Sequence, residues 1–239
     1  MGTNNSLSQH SCNQRTPLFP PPSQGGTQGG DKKTYKKKMF LQSNTIKRIC
    51  VFCGSNHGAR SAYTGAAQQL GKALVSQGIG LVYGGGSIGL MTVVADAVLE
   101  EKGEVIGVIP HALSSKELAH YGLTELRLVS SMHERKSVMA ELSGAFIAMP
   151  GGFGTLDEFF EIVTWAQLGL HTKPIGLLNV GGYFDLLLKF VDYMLRERFI
   201  SAEHRQLIIT SHDPEELLLG LIRYKPSLQI PKVIDWKET

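Results

Sequence analysis

At 239 residues, 42% hydrophobic and 19% charged, the chain suits one α/β domain with a tail better than two domains. Its formal charge of +3 is concentrated at one end, because six of the 24 basic residues and one of the 21 acidic residues fall within residues 1–45. The remainder carries 18 basic and 20 acidic side chains, a net of −2, which excludes an extended basic groove for nucleic acid.

Residues 1–45 are rich in Ser, Gln, Asn, Gly, Pro and Lys. They cannot bury enough apolar surface to offset chain entropy, so this tail is expected to be disordered. It shows neither the apolar run of a secretory signal nor the Arg-rich pattern of a transit peptide. Lys36-Lys37-Lys38 reads as a solvated basic linker, with a nuclear signal as the alternative. No stretch approaches the roughly 18 apolar residues of a membrane span. Of the three cysteines, Cys50 and Cys53 match a redox spacing but sit at the end of an expected strand. Alternate strand positions face opposite sides, so these sulfurs should not meet, and reduced thiols in an intracellular protein are expected. The cytoplasm is the expected location, with the nucleus left open.

From residue 46 onward, short β-rich runs alternate with helical patterns. Residues 46–52 predict a first strand ending at Gly54-Ser55-Asn56, and 61–77 a helix closed by Gly78. Residues 79–83 predict a second strand, which runs into Gly84-Gly85-Gly86-Ser87 and a helix to about residue 101. Further strands are expected at 105–109, 125–129, 145–149, 174–178 and 207–210. Helices are expected at 132–142, from the loop at Gly151 to about 168, at 183–198 and at 214–222. This alternation predicts an α/β, Rossmann-like parallel sheet with helices on both faces, a single domain over 46–224 with an irregular extension at 225–239. The loops at Gly54, Gly84 and Gly151 leave carboxyl ends of strands, where such sheets hold their ligands.

The run Met149-Pro150-Gly151-Gly152-Phe153-Gly154-Thr155-Leu156-Asp157-Glu158 joins a buried strand to a helix. Its glycines allow close approach to a ligand, and the helix amides behind them favour an anion such as phosphate. Thr155 and Glu158 also fit a capping box, so Glu158 has two readings, a cap and a catalytic carboxylate. Gly84 to Gly89 fits G-x-G-x-x-G, yet Glu104 begins the next strand and Pro110 ends it, where a nicotinamide site wants an acid. A phosphate or ribose contact in a mononucleotide site fits that loop better. Arg135 and Lys136, at the start of a helix on the ligand edge, suit an anionic substrate. No His, Cys and carboxylate set has metal-ligand spacing, and no metal is expected.

Pro150 to Glu158 matches the signature PGGxGTxxE, and Met132-His133-Glu134-Arg135-Lys136 fits its companion helix motif. Gly54-Ser55, Tyr83 to Gly86, Gly89-Leu90-Met91 and Thr164 to Leu168 fit as well. On these residues the chain, from about residue 47 to 219, closely resembles the LONELY GUY family of cytokinin riboside 5′-monophosphate phosphoribohydrolases. The resemblance implies a homodimer that hydrolyses the N-glycosidic bond of a cytokinin nucleoside monophosphate without a cofactor. The products would be free base and ribose 5-phosphate. It also implies that Arg135 and Glu158 are catalytic. Glu117, Lys136, Gly151, Gly152, Phe153, Gly154, Thr155, Leu156, Asp157 and Thr164 would contact substrate. Members are often labelled lysine decarboxylases, a chemistry that needs a cofactor-bearing lysine for which the sequence offers no local support. The competing reading is a non-catalytic nucleotide or molybdenum-cofactor binding protein of the same fold. Partners other than the nucleotide and a second copy are not expected, in particular no membrane and no nucleic acid.

Overall fold

In the computed structural model, which describes residues 46–114 and 119–226, the alternating pattern closes into one parallel sheet. The expectations for the tail, for Glu117 and for the extension beyond 226 lie outside the described residues. The strands are β1 (Arg48–Phe52), β2 (Gly80–Tyr83), β3 (Val105–Pro110), β4 (Glu125–Val129), β5 (Ala145–Ala148), β6 (Ile175–Leu178) and β7 (Ile208–Ser211). They lie in the order β4-β3-β2-β1-β5-β6-β7, every pairing parallel, with Ile49 beside both Leu81 and Ala145. β2, β3, β5 and β6 are buried along their whole length, as strands must be when helices cover both faces. The edge strand β4 instead carries the ion pair of Glu125 and Arg127 at 2.6 Å, charges that discourage pairing with another chain.

The helices are α1 (Ser61–Ser76), α2 (Gly89–Glu100), α3 (Met132–Leu142), α4 (Phe153–Gln167), α5 (Asp185–Arg196) and α6 (Pro214–Arg223). Helical turns at His111–Leu113, Val180–Gly182 and Ala202–Arg205 are too short to show a period in the sequence. The start expected at 183 moves to Asp185 because the turn at Val180–Gly182 intervenes. Among the described residues no helix is long and apolar enough to cross a membrane.

Two apolar layers sandwich the sheet. On one face Leu70, Leu74, Val94, Val98 and Leu217 of α1, α2 and α6 pack on Ile49, Val51 and Ile147. On the other, Met139, Phe159, Ile162 and Val191 of α3, α4 and α5 pack on Cys50, Phe52 and Phe146. Consecutive β1 residues thus alternate between layers. Cys50 and Cys53 fall in opposite layers, both buried and both free.

The order of the strands decides where a ligand can enter. From β1 the chain turns onto one face to form α1; from its neighbour β5 it turns onto the other to form α4. The loops diverge and leave a crevice at the carboxyl end of the sheet. One close contact keeps this frame compact: a Cβ on Gly71 of α1 would lie 2.7 Å from Ala97 Cβ and 3.0 Å from the Val94 carbonyl of α2. Gly71→Val should therefore destabilise the protein by about 1–3 kcal/mol in urea unfolding, through overpacking.

Candidate active site

Three loops meet at the crevice. The Gly54 N–H donates to Pro150 O at 3.0 Å, and the Leu90 N–H donates to Gly54 O at 3.0 Å. This contact is possible only because the loops lack side chains at the meeting points. Gly89 has φ of 59°, and a Cβ there would lie 2.3 Å from the Ser55 carbonyl carbon. A Cβ on Gly151 would lie 2.1 Å from Thr155 Oγ1. Between the loops opens a cleft of about 200 Å³ lined by Ser55, Asn56, His57, Tyr63, Gly151 and Tyr183, among others.

The mouth of α4 faces this edge. Gly152, in extended conformation, is the N-cap, and no side chain caps the helix. The first amide to find a partner inside the helix is that of Leu156, which donates to Gly152 O at 3.2 Å. The amides of Phe153, Gly154 and Thr155 precede that ladder and present the positive end of the helix dipole. At Gly152 and Gly154 a Cβ would meet nothing within 4 Å, so open space fronts these donors. The capping-box reading of Thr155 and Glu158 fails. Thr155 already lies within the first helical turn, buried, and the Glu158 carboxylate is turned to Arg135.

Glu158 meets Arg135 of α3, whose Nη1 lies 3.0 Å from Glu158 Oε1 in a nearly enclosed pair. Arg135 Nε donates to the Val108 carbonyl of β3 at 3.0 Å, which aims the guanidinium across the carboxyl end of the sheet. Gly84 at the end of β2 makes room: a Cβ there would lie 2.0 Å from Arg135 Nη2. Burial pushes the Glu158 carboxyl above its usual range, and Arg135 pulls against that rise. Lys136, one residue on, reaches the same helix elsewhere. Its Nζ lies 3.1 Å from both Asp157 Oδ2 and Glu161 Oε1. Burial works to lower the Lys136 ammonium, but hydrogen bonds to Glu161 and Asp157 prevail and hold it above its ordinary value. The start of α3 is fixed by Ser131, whose Oγ accepts from the Glu134 N–H at 3.1 Å, while the Ser130 N–H donates to Glu134 Oε2 at 2.7 Å.

Most residues singled out from the sequence come together here. Arg135, Lys136, Gly151, Gly152, Gly154, Thr155, Asp157 and Glu158 surround the mouth of α4. Phe153 stands beside it, 93% exposed, whereas Leu156 turns back against the apolar layer. Thr164 does not join them. It lies about 13 Å further along α4 by helical rise, and its hydroxyl donates to Phe160 O at 2.7 Å. Glu161, the Val108 carbonyl and Tyr183 were missed. Glu161 had a local signal, four residues after Asp157 on the same helix face. The other two come from strands and turns distant in sequence.

Fold and site together define a Rossmann-like α/β protein with an anion-receptive helix mouth beside an enclosed carboxylate–guanidinium pair. A family profile described as "Possible lysine decarboxylase" matches residues 91–221. The chain is 51% identical over 190 residues to the cytokinin riboside 5′-monophosphate phosphoribohydrolase LOG3 of Arabidopsis thaliana, covering 80% of this chain and 88% of that one. It is 50% identical over 190 residues to the phosphoribohydrolase LOG of Oryza sativa subsp. japonica, covering 80% and 78%. The chain belongs to this family, LONELY GUY. Among solved structures, the molybdenum cofactor binding protein of Rippkaea orientalis shares the fold with a TM-score of 0.55 at 22% identity, covering 74% of this chain and 94% of that one. The molybdenum cofactor carrier protein of Chlamydomonas reinhardtii does so with 0.55 at 20%, covering 74% and 95%.

The enclosed pair has a measurable signature. With its folded value raised above 4.5, Glu158 supports the fold fully only below that pH, and its support is lost as pH rises through the raised value. Removing Arg135 removes the main opposing charge and extends this loss upward. Arg135→Ala should cost about 3–5 kcal/mol near pH 8 and markedly less near pH 5, and adding Glu158→Gln should restore most of the difference in urea unfolding.

Proposed function

We propose that the protein hydrolyses the N-glycosidic bond of cytokinin riboside 5′-monophosphates, releasing free base and ribose 5-phosphate. The observation that carries this reading is the Arg135–Glu158 pair set beside the open mouth of α4. Relatives named for this activity at 50% identity and above support it. The fold shared with molybdenum-cofactor proteins, at 20–22% identity, gives the carrier reading no comparable support.

Breaking the ribosyl C–N bond builds positive charge on the sugar. The 5′-phosphate sits on the amides of Phe153, Gly154 and Thr155, with Gly151 and Gly152 giving it room. That anchor places the anomeric carbon near Glu158. Glu158 stabilises the sugar cation and takes a proton from the attacking water, whose oxygen bonds to the anomeric carbon as the C–N bond breaks. The base leaves with that bond's electron pair, and the proton held by Glu158 passes to the base through solvent, which restores the carboxylate. A carboxylate raised by burial is a better base, and Arg135 opposes that rise, favouring the ionised form, while orienting substrate and assisting the leaving base. Lys136 and Asp157 complete the polar wall; Glu117 and Thr164 belong to the proposal on family resemblance alone.

A lysine decarboxylase would need a lysine free to form a Schiff base. Lys136 is tied to two carboxylates. Lys173, whose amine burial pulls down, precedes β6 at the opposite edge of the sheet and donates to Ala140 O at 2.8 Å.

The proposal includes a homodimer. Leu186, Phe190 and Tyr193 form an exposed apolar stripe at helical spacing on α5, which a second copy would cover. Cytoplasmic residence, with nuclear entry open, belongs to the same reading.

Base release from isopentenyladenosine monophosphate, AMP and the matching ribosides tests the activity. The monophosphate should be preferred; equal turnover of riboside and monophosphate would remove the phosphate anchor from the reading. Glu158→Gln should lower kcat by about 10²–10⁴-fold in a folded protein. Gly84→Ala, whose clash is with a movable guanidinium tip, should leave the fold intact and lower kcat by roughly 10–100-fold. The acid limb of the kcat/KM profile should lie above pH 4.5. Light scattering should give twice the chain mass.

A further inference from the structure

The phosphate cradle is braced from outside its own loop. After β6, the chain turns through Val180–Gly182, where Gly181 and Gly182 adopt φ of 58° and 75°. Buried Asn179 builds this turn: its Oδ1 accepts from the Phe184 N–H at 2.7 Å, and its Nδ2 donates to Asp185 Oδ1 at 2.7 Å. Arg60 Nη1 closes the outside by donating to Gly181 O at 3.1 Å. The turn delivers Tyr183 to the cleft, with its ring edge-on to Tyr63 at 5.7 Å and to Phe184 at 4.9 Å. From there the Tyr183 hydroxyl donates to the Gly151 carbonyl at 2.6 Å.

That carbonyl and the Gly152 N–H belong to one planar peptide and point in opposite directions. The peptide joins two glycines, which restrict its rotation less than any other pair of residues would. Whatever holds the oxygen therefore decides where the amide at the cap of α4 points. Tyr183 as a whole is 43% exposed, so it is not a residue of the apolar core.

We propose that Tyr183 is a positioning residue: by holding the Gly151 carbonyl it locks the Gly151–Gly152 peptide in the orientation that receives the substrate's phosphate. The proposal rests on the phosphate-anchored hydrolase reading above. Tyr183 acts through the backbone, so its loss weakens retention of the phosphoryl group without altering the Arg135–Glu158 pair.

Tyr183→Phe keeps both ring contacts and removes the hydroxyl. Three quantities are measured: kcat and KM for isopentenyladenosine monophosphate, turnover of the riboside, and calorimetric affinity for ribose 5-phosphate and inorganic phosphate. The variant should raise the monophosphate KM and the Kd for ribose 5-phosphate about three- to tenfold, the worth of one hydrogen bond. The kcat should stay within about twofold, and riboside turnover and melting temperature should not change, since the Arg135–Glu158 pair and both ring contacts remain. An unchanged monophosphate KM and phosphate affinity overturns the proposal, as does an equal loss for riboside and monophosphate, which marks a general structural defect. Should the unsubstituted protein release no base from any nucleotide, the hydrolase reading falls, and the phosphate affinities of the two proteins still decide the role of Tyr183.

Discussion

A carboxylate as enclosed as that of Glu158 stays ionised only beside a cation that is itself held in place, and much of the site serves that requirement. The guanidinium of Arg135 is aimed by the Val108 carbonyl and admitted by the missing side chain of Gly84. The neighbouring strands β2 and β3 thus contribute to one ion pair between two helices. Such a pair contributes little to stability by itself, because desolvating both charges offsets most of their attraction. Its retention at the ligand edge is better understood as a chemical than as a structural requirement.

The strand order supplies the geometry. Because β1 and β5 are neighbours whose chains leave to opposite faces, backbone loops rather than side chains converge at the crevice. One end of the site is then made of amides and glycines, suited to a phosphoryl group. The other end is made of charged side chains from α3 and α4, suited to chemistry at a sugar. Binding an inert group at one end to place a reacting atom at the other is an economical use of interaction energy. Lys136 reinforces the arrangement by clasping Asp157 and Glu161, which ties the helix bearing Arg135 to the helix bearing Glu158.

Much of this was legible in the residues themselves. The strand expected at 125–129 and the helix expected at 132–142 keep their bounds in β4 and α3, and the seven strands follow from strict alternation. The glycine run before α4 can be read as an expected anion site because the mechanism that would make it one is local. What failed was equally physical. Thr155 looked like a cap because Ser and Thr usually fill that place, but the glycines let the chain turn three residues earlier, at Gly152. Thr164, by contrast, keeps its place in the family motif, and within one copy of the chain its hydroxyl donates to Phe160 O of its own helix. Tyr183 and Asn179 left no local trace, since the hydroxyl contact to Gly151 spans 32 residues and exists only once β5 and β6 are paired.

Phe153 stands almost wholly in solvent one position inside the mouth of α4, with nothing in the apolar layers depending on its ring. On the proposed reading an aromatic side chain there sits next to arriving ligand, while it bears no share of the packing. The protein thus offers a natural place for an optical reporter, where an indole would sense occupancy by a change in emission without a dye or a label.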